Sequence, residues 1–194
     1  MAISYGESWA EVCSRALEKM GAGGISNLTA GSREVNLCNR YLGTAISNVI
    51  GMHDWHALRT RLQLAPLSAA PVYGFDHAYP LPADFERMIE IDNGEAAYSV
   101  ENGSILTDAD DVYITYIARP TNDPSRLPST LKDLISCELA SLLSEPMSAS
   151  ADRTRKILDD LARAKQAALS NDARLNPEIR GEADRGYAYY DELR

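Results

Sequence analysis

Ala97-Tyr98-Ser99-Val100-Glu101-Asn102-Gly103-Ser104-Ile105-Leu106-Thr107 reads as two short strands closed by a two-residue turn. Asn102-Gly103 is the strongest short hairpin signal, because both residues tolerate the positive φ that a tight hairpin demands. Upstream, Asp92-Asn93-Gly94 marks a second tight turn and residues 87–91 a further strand. Downstream, residues 108–111 turn the chain into Val112–Ala118. There Val112, Ile114, Tyr116 and Ala118 alternate with Tyr113, Thr115 and Ile117. Both sets are fairly apolar, as in a strand covered on both faces. The region predicts a four-stranded antiparallel β-meander.

Helical periodicity flanks it on both sides. Trp9, Val12, Cys13, Ala16, Leu17 and Met20 fall on one helix face. Ser4 and Glu7 have the spacing of a capping box, and Gly21, Gly23 and Gly24 supply a stop. A second helix, starting near Thr29 or Ser32, carries Val35, Cys38, Tyr41, Leu42, Ala45, Ile46, Val49 and Ile50 on one broad face. It passes through His53-Asp54-Trp55-His56 into an extended segment at residues 60–64. Pro66, Pro71, Pro80 and Pro82 then argue against helix or central strand, and residues 65–84 read as a long ordered loop tied down by Tyr73, Phe75 and Tyr79. Residues 119–128 link the meander to a third helix at 128–144, with Leu131, Leu134, Ile135, Leu139, Leu142 and Leu143 inward. Pro146 stops it. Ser148 or Ser150 caps a fourth, with Ile157, Leu158, Leu161, Ala162, Ala168 and Leu169 on its inner side. From Asn171 the pattern lapses, and the chain ends in a tyrosine-rich stretch that includes Tyr187, Tyr189 and Tyr190. Such side chains favour interfaces.

The expectation is an α+β chain, mainly α: a four-helix bundle with a small antiparallel β-meander inserted between helix pairs, and an extended C-terminal tail. Residues 1–58 form the first helical pair, 59–120 the inserted loop and meander, 121–173 the second pair and 174–194 the tail.

Charge narrows the function. The net charge of -9 is unevenly spread. Residues 51–125 hold twelve acids against four bases, while the segments on either side are nearly balanced. An acidic surface repels phosphate, so a nucleic-acid grip is not expected. Arg153, Arg155, Lys156, Arg163 and Lys165 are interleaved with Asp152, Asp159 and Asp160, a mixed solvated face. No apolar run reaches the roughly 20 residues of a membrane span, and the N-terminus has no signal-peptide pattern, so cytoplasmic synthesis is expected. Cys13, Cys38 and Cys137 make no C-x-x-C pair and read as buried free thiols.

Catalytic and metal motifs are sparse. His53 and His56 form H-x-x-H, which His77 would have to join before zinc had three donors. Packing or capping at a helix end is the simpler reading. Asp108-Ala109-Asp110-Asp111 lacks the glycine and closing glutamate of a calcium loop and reads as a polar turn. No phosphate-binding loop, dinucleotide fingerprint or nucleophile elbow occurs, and no cofactor is expected.

Several segments, in order, resemble phage head-to-tail adaptors, in particular the tail tubular protein A group of short-tailed phages and related head-tail connector proteins. They are Ala16-Leu17-Glu18-Lys19-Met20-Gly21 with Ile25-Ser26-Asn27-Leu28; His53-Asp54-Trp55-His56-Ala57-Leu58-Arg59; Tyr79-Pro80-Leu81-Pro82-Ala83-Asp84-Phe85-Glu86-Arg87; Ile114-Thr115-Tyr116-Ile117; and Leu139-Ala140-Ser141-Leu142-Leu143. The resemblance spans roughly residues 8–173 and rests on order and spacing. It implies a structural virion protein and not an enzyme: a self-associating ring, typically a dodecamer, docked under the portal protein. DNA would pass through without specific binding, and a nozzle or fibre protein would sit on the far side. No membrane is involved. Synthesis in the host cytoplasm and residence at the portal vertex follow. The tail residues Tyr187, Tyr189, Tyr190 and Leu193 are the expected portal-docking contacts. Two other classes stay open: a small helical interaction module of another assembly, and a metal-dependent enzyme built on scattered acids with His53 and His56.

Overall fold

The computed structural model describes residues 8–29, 31–120 and 123–175. The first helix, α1 (Trp9–Lys19), is capped by Ser8, whose side chain accepts from the Glu11 amide while Glu11 reaches back to the Ser8 amide at 2.6 Å. The capping box is thus formed by Ser8 and Glu11; Ser4 and Glu7 lie outside the described residues. α2 (Arg33–Gly51) is capped by Ser32. A 3-10 turn (His56–Leu58) leads into β1 (Arg59–Leu64). There follow β2 (His77–Pro80), β3 (Phe85–Asp92), β4 (Tyr98–Glu101), β5 (Ser104–Thr107) and β6 (Val112–Ala118). Two helices complete the described chain: α3 (Ser129–Leu143) and α4 (Ala151–Leu175).

The expected four-helix bundle with a small projecting meander is not what forms. The six strands make two three-stranded antiparallel sheets, ordered β1-β6-β3 and β2-β5-β4. Only β4 and β5 pair as sequence neighbours, across Asn102 (φ 47) and Gly103 (φ 73). β3 and β4 lie in different sheets, and so do β5 and β6. The turns at 92–97 and 108–111 therefore carry the chain between layers, which turn chemistry alone does not distinguish from a hairpin. The Pro-rich stretch also holds a strand: β2 pairs with β5, with Tyr79 opposite Ile105. Pro80 is tolerated because β2 is an edge strand and Pro80 its last residue.

The two sheets close over Leu64, Tyr79, Ile105, Val112, Ile114 and Tyr116. The helices are organised around α3, which packs against α1, α2 and α4. Leu131, Leu134, Ile135, Cys137, Leu139, Ala140 and Leu143 are buried, and so are the polar Lys132, Ser136 and Glu138 of the same helix. A helix covered on all sides loses the one-sided apolar stripe of a surface helix. Its buried polar groups are satisfied: Ser136 Oγ donates within reach of Val12 O (3.1 Å) and Lys132 O (3.0 Å), and Glu138 accepts from Asn48 at 2.7 Å. Ile117 of β6 enters the helical core beside Trp55, Leu58 and Leu131, so one strand joins the sheets to the helices.

Candidate functional site

His53-Asp54-Trp55-His56 sits where α2 gives way to β1, and its side chains tie that junction to α2, β3 and α4. Trp55 is buried, and its indole N–H donates to Val49 O at 2.8 Å. His53 meets the Trp55 ring edge-on, with centroids 5.1 Å apart. Asp54 forms an ion pair with Arg87 of β3, which also reaches His53 O at 3.4 Å. The two histidines converge on one carboxylate, Asp172 near the end of α4. Asp172 Oδ2 lies 2.8 Å from His56 Nδ1 and 3.2 Å from His53 Nε2, and Asp172 Oδ1 accepts from the His56 amide at 2.9 Å.

This geometry holds elements together. Asp172 is 3% exposed and saturated by its partners. His56 Nε2 is buried and makes no hydrogen bond among the described residues. Among the described residues no group of three His, Cys, Asp or Glu side chains is placed to hold a metal ion. His77 does not join the other two; it lies 3.6 Å from the exposed Asp110. Asp172 escaped the sequence reading because it falls in polar chain beyond the last clear apolar step, although its spacing of four from the buried Ala168 was a usable signal.

The segment Tyr79–Arg87 is the second anchored region. The Tyr79 hydroxyl shares its proton between Ala109 O (2.7 Å) and Asp110 O (2.8 Å), closing the acidic turn at 108–111. Asp84 accepts from the Tyr116 hydroxyl at 3.1 Å, and its carbonyl accepts from the Arg119 amide at 2.7 Å. Arg119 in turn donates to Gly43 O at 3.0 Å on α2 and pairs with Glu86 at 3.4 Å. Burial raises both phenols above the ordinary tyrosine range. The Asp110 and Asp111 charges add to the shift at Tyr79, and the Asp84 hydrogen bond and charge add to it at Tyr116.

The acidic turn is polar structure: Asp108 accepts from the Asp76 amide at 2.9 Å and Asp111 from Gln63 at 3.1 Å. All three cysteines are free and buried. Cys13 and Cys38 come together, and the Cys38 hydrogen bond, with burial, pushes the Cys13 thiol far above its ordinary range. On α4, Arg153 donates to Met20 O and Arg163 pairs with Asp160, consistent with a mixed face. Tyr187, Tyr189, Tyr190 and Leu193 lie outside the described residues. Among the described residues no helix is long and apolar enough to cross a membrane.

The surface left uncovered lies mainly on the sheets and the loop beside them. Leu62, Val72, Tyr73, Tyr98, Val100 and Tyr113 are exposed, Val72 at 98%. The outer face of the β1-β6-β3 sheet forms an open groove of about 490 Å³ whose lining includes Arg61, Gln63, Glu90, Asp92, Tyr113 and Thr115. No protein-family model matches the chain, and no curated protein matches it.

Proposed function

We propose that the chain is a structural virion protein, a ring-forming head-to-tail adaptor that joins a phage portal to the tail and lines the channel through which DNA leaves. It is made in the host cytoplasm, catalyses no reaction, and meets its own copies, the portal and a nozzle or fibre protein. The observation that carries this reading is the use made of the segments behind the resemblance. His53–Arg59 and Tyr79–Arg87 tie the helices and sheets into one body through Asp172, Arg87, Asp84 and Arg119, leaving exposed apolar and aromatic residues on the sheets for contacts outside the chain. A fixed body with uncovered apolar surface suits a subunit of an assembly. One further feature supports the channel role. The acidic surplus falls on residues 51–125, which carry the sheets, and an acidic wall does not retain a passing phosphate backbone.

Mixing the purified chain with the portal protein encoded in the same genome, and viewing the product by electron microscopy, tests this reading. Rings seated under the portal are expected. A monomer or dimer indifferent to the portal would support the interaction-module alternative, and turnover dependent on a bound divalent metal would support the enzyme alternative.

A further inference from the structure

The β1-β6-β3 sheet has two open edges of opposite charge on one face. The register establishes the shared face: Arg61 stands opposite Thr115, and Thr115 opposite Glu90; Gln63 stands opposite Tyr113, and Tyr113 opposite Asp92. Residues directly opposite in an antiparallel ladder project to the same side. Arg59 and Arg61 therefore stud one rim, and Glu90 and Asp92 the other, about 10 Å away across the central strand. All four are exposed. Among the described residues none of the four forms an ion pair, whereas the neighbouring Arg87 and Arg119 are taken by Asp54 and Glu86.

The backbone of both edges is suited to a neighbour here. β1 runs beside β6 in unbroken register from Arg59 to Leu64. β3 has two irregularities, at Phe85/Arg87 and Met88/Glu90, but both precede the regular stretch Glu90 to Asp92. Bulges blunt an edge where they occur, and these leave the acidic end straight. Because β1 and β3 are each antiparallel to β6, they are parallel to one another.

We infer that this sheet is a contact between copies of the chain, the basic β1 rim of one copy meeting the acidic β3 rim of the next. Charge decides the geometry. A two-fold contact between like edges sets arginine against arginine or carboxylate against carboxylate. A head-to-tail contact pairs unlike charges, keeps the strand direction, and repeats from copy to copy, which is the arrangement that closes into a ring. The inference deepens the adaptor reading and rests on it for the ring. It identifies the surface through which copies meet and the handedness of their charges.

Two charge-reversed full-length chains test it. Arg59→Glu with Arg61→Glu gives two acidic rims; Glu90→Arg with Asp92→Arg gives two basic rims. Sedimentation velocity of the unaltered chain should show self-association at low ionic strength that weakens in high salt. Each variant alone should stay monomeric, and an equimolar mixture of the two should associate. A misfolded chain cannot produce that rescue, and the single reversals Arg61→Glu and Glu90→Arg serve in the same design if a double variant fails to fold. Either variant associating like the unaltered chain, an unaltered chain that stays monomeric at low salt, or a mixture that stays monomeric would overturn the contact. If the chain is found in virions while the mixture stays monomeric, the contact fails and the adaptor reading survives. Association of the mixture with the chain absent from virions separates the two the other way.

Discussion

Asp172 of α4 and His56 of the α2–β1 junction, 116 positions apart in the chain, are joined through Nδ1 at 2.8 Å and through the His56 amide at 2.9 Å. The end of the longest helix is thereby fixed to the point where helices turn into sheet. Removing the carboxylate leaves two donors of His56 without an acceptor in a half-buried setting. Asp172→Ala should lower stability by about 2–4 kcal/mol. Urea unfolding followed by circular dichroism reads this directly, and a loss below about 0.5 kcal/mol, the usual effect of a surface change, would reduce the clamp to an incidental contact.

Gly21 closes α1 with φ +77, and an added Cβ would run into the guanidinium of Arg153, which donates to Met20 O. Gly21→Ala combines backbone strain with displacement of that donor, and should cost about 1–2 kcal/mol. Gly23→Ala is the control, since its position is open. Equal melting temperatures for the two variants would refute the Arg153 contact.

Tyr79 and Tyr116 favour their protonated forms more strongly in the folded chain than in the unfolded one. Between the unfolded and folded pKa values the folded state holds more protons. Stability from these phenols is then complete below about pH 10 and falls as pH rises past it. Stability measured by urea titration across the alkaline range should decline, and Tyr79→Phe should flatten the decline by its share. A Tyr79→Phe chain with an unchanged alkaline slope would remove Tyr79 from this linkage.

Deleting residues 184–194, which include Tyr187, Tyr189, Tyr190 and Leu193, should leave the melting temperature unchanged and abolish docking to the portal. Docking that persists in the truncated chain places the portal contact elsewhere.

Much of the helical part was legible because apolar residues at helical spacing mark a buried face wherever it lies. Trp9 to Met20 and Val35 to Ile50 led to α1 and α2 within a few residues. α4 runs to Leu175, past the lapse at Asn171, because Asp172 is held by a partner distant in sequence. Strand positions were legible as well, apart from β2, whose four residues hide among prolines. Strand pairing was not. Alternation tells which side chains share a face, but it says nothing of which strand stands beside which. Only Asn102-Gly103 fixed a pairing, because its positive φ values demand a tight hairpin. The junction site was half legible: His53 and His56 stood out, while their common partner did not. The opposed rims of the first sheet could not be read at all without the order β1-β6-β3.

Localising the chain in purified virions tests the adaptor role most directly, by mass spectrometry of the particles and asymmetric electron cryomicroscopy of the vertex where the genome exits. A ring of this chain between portal and tail, with its channel open to DNA, is the expected result. Virions that lack the chain would contradict it.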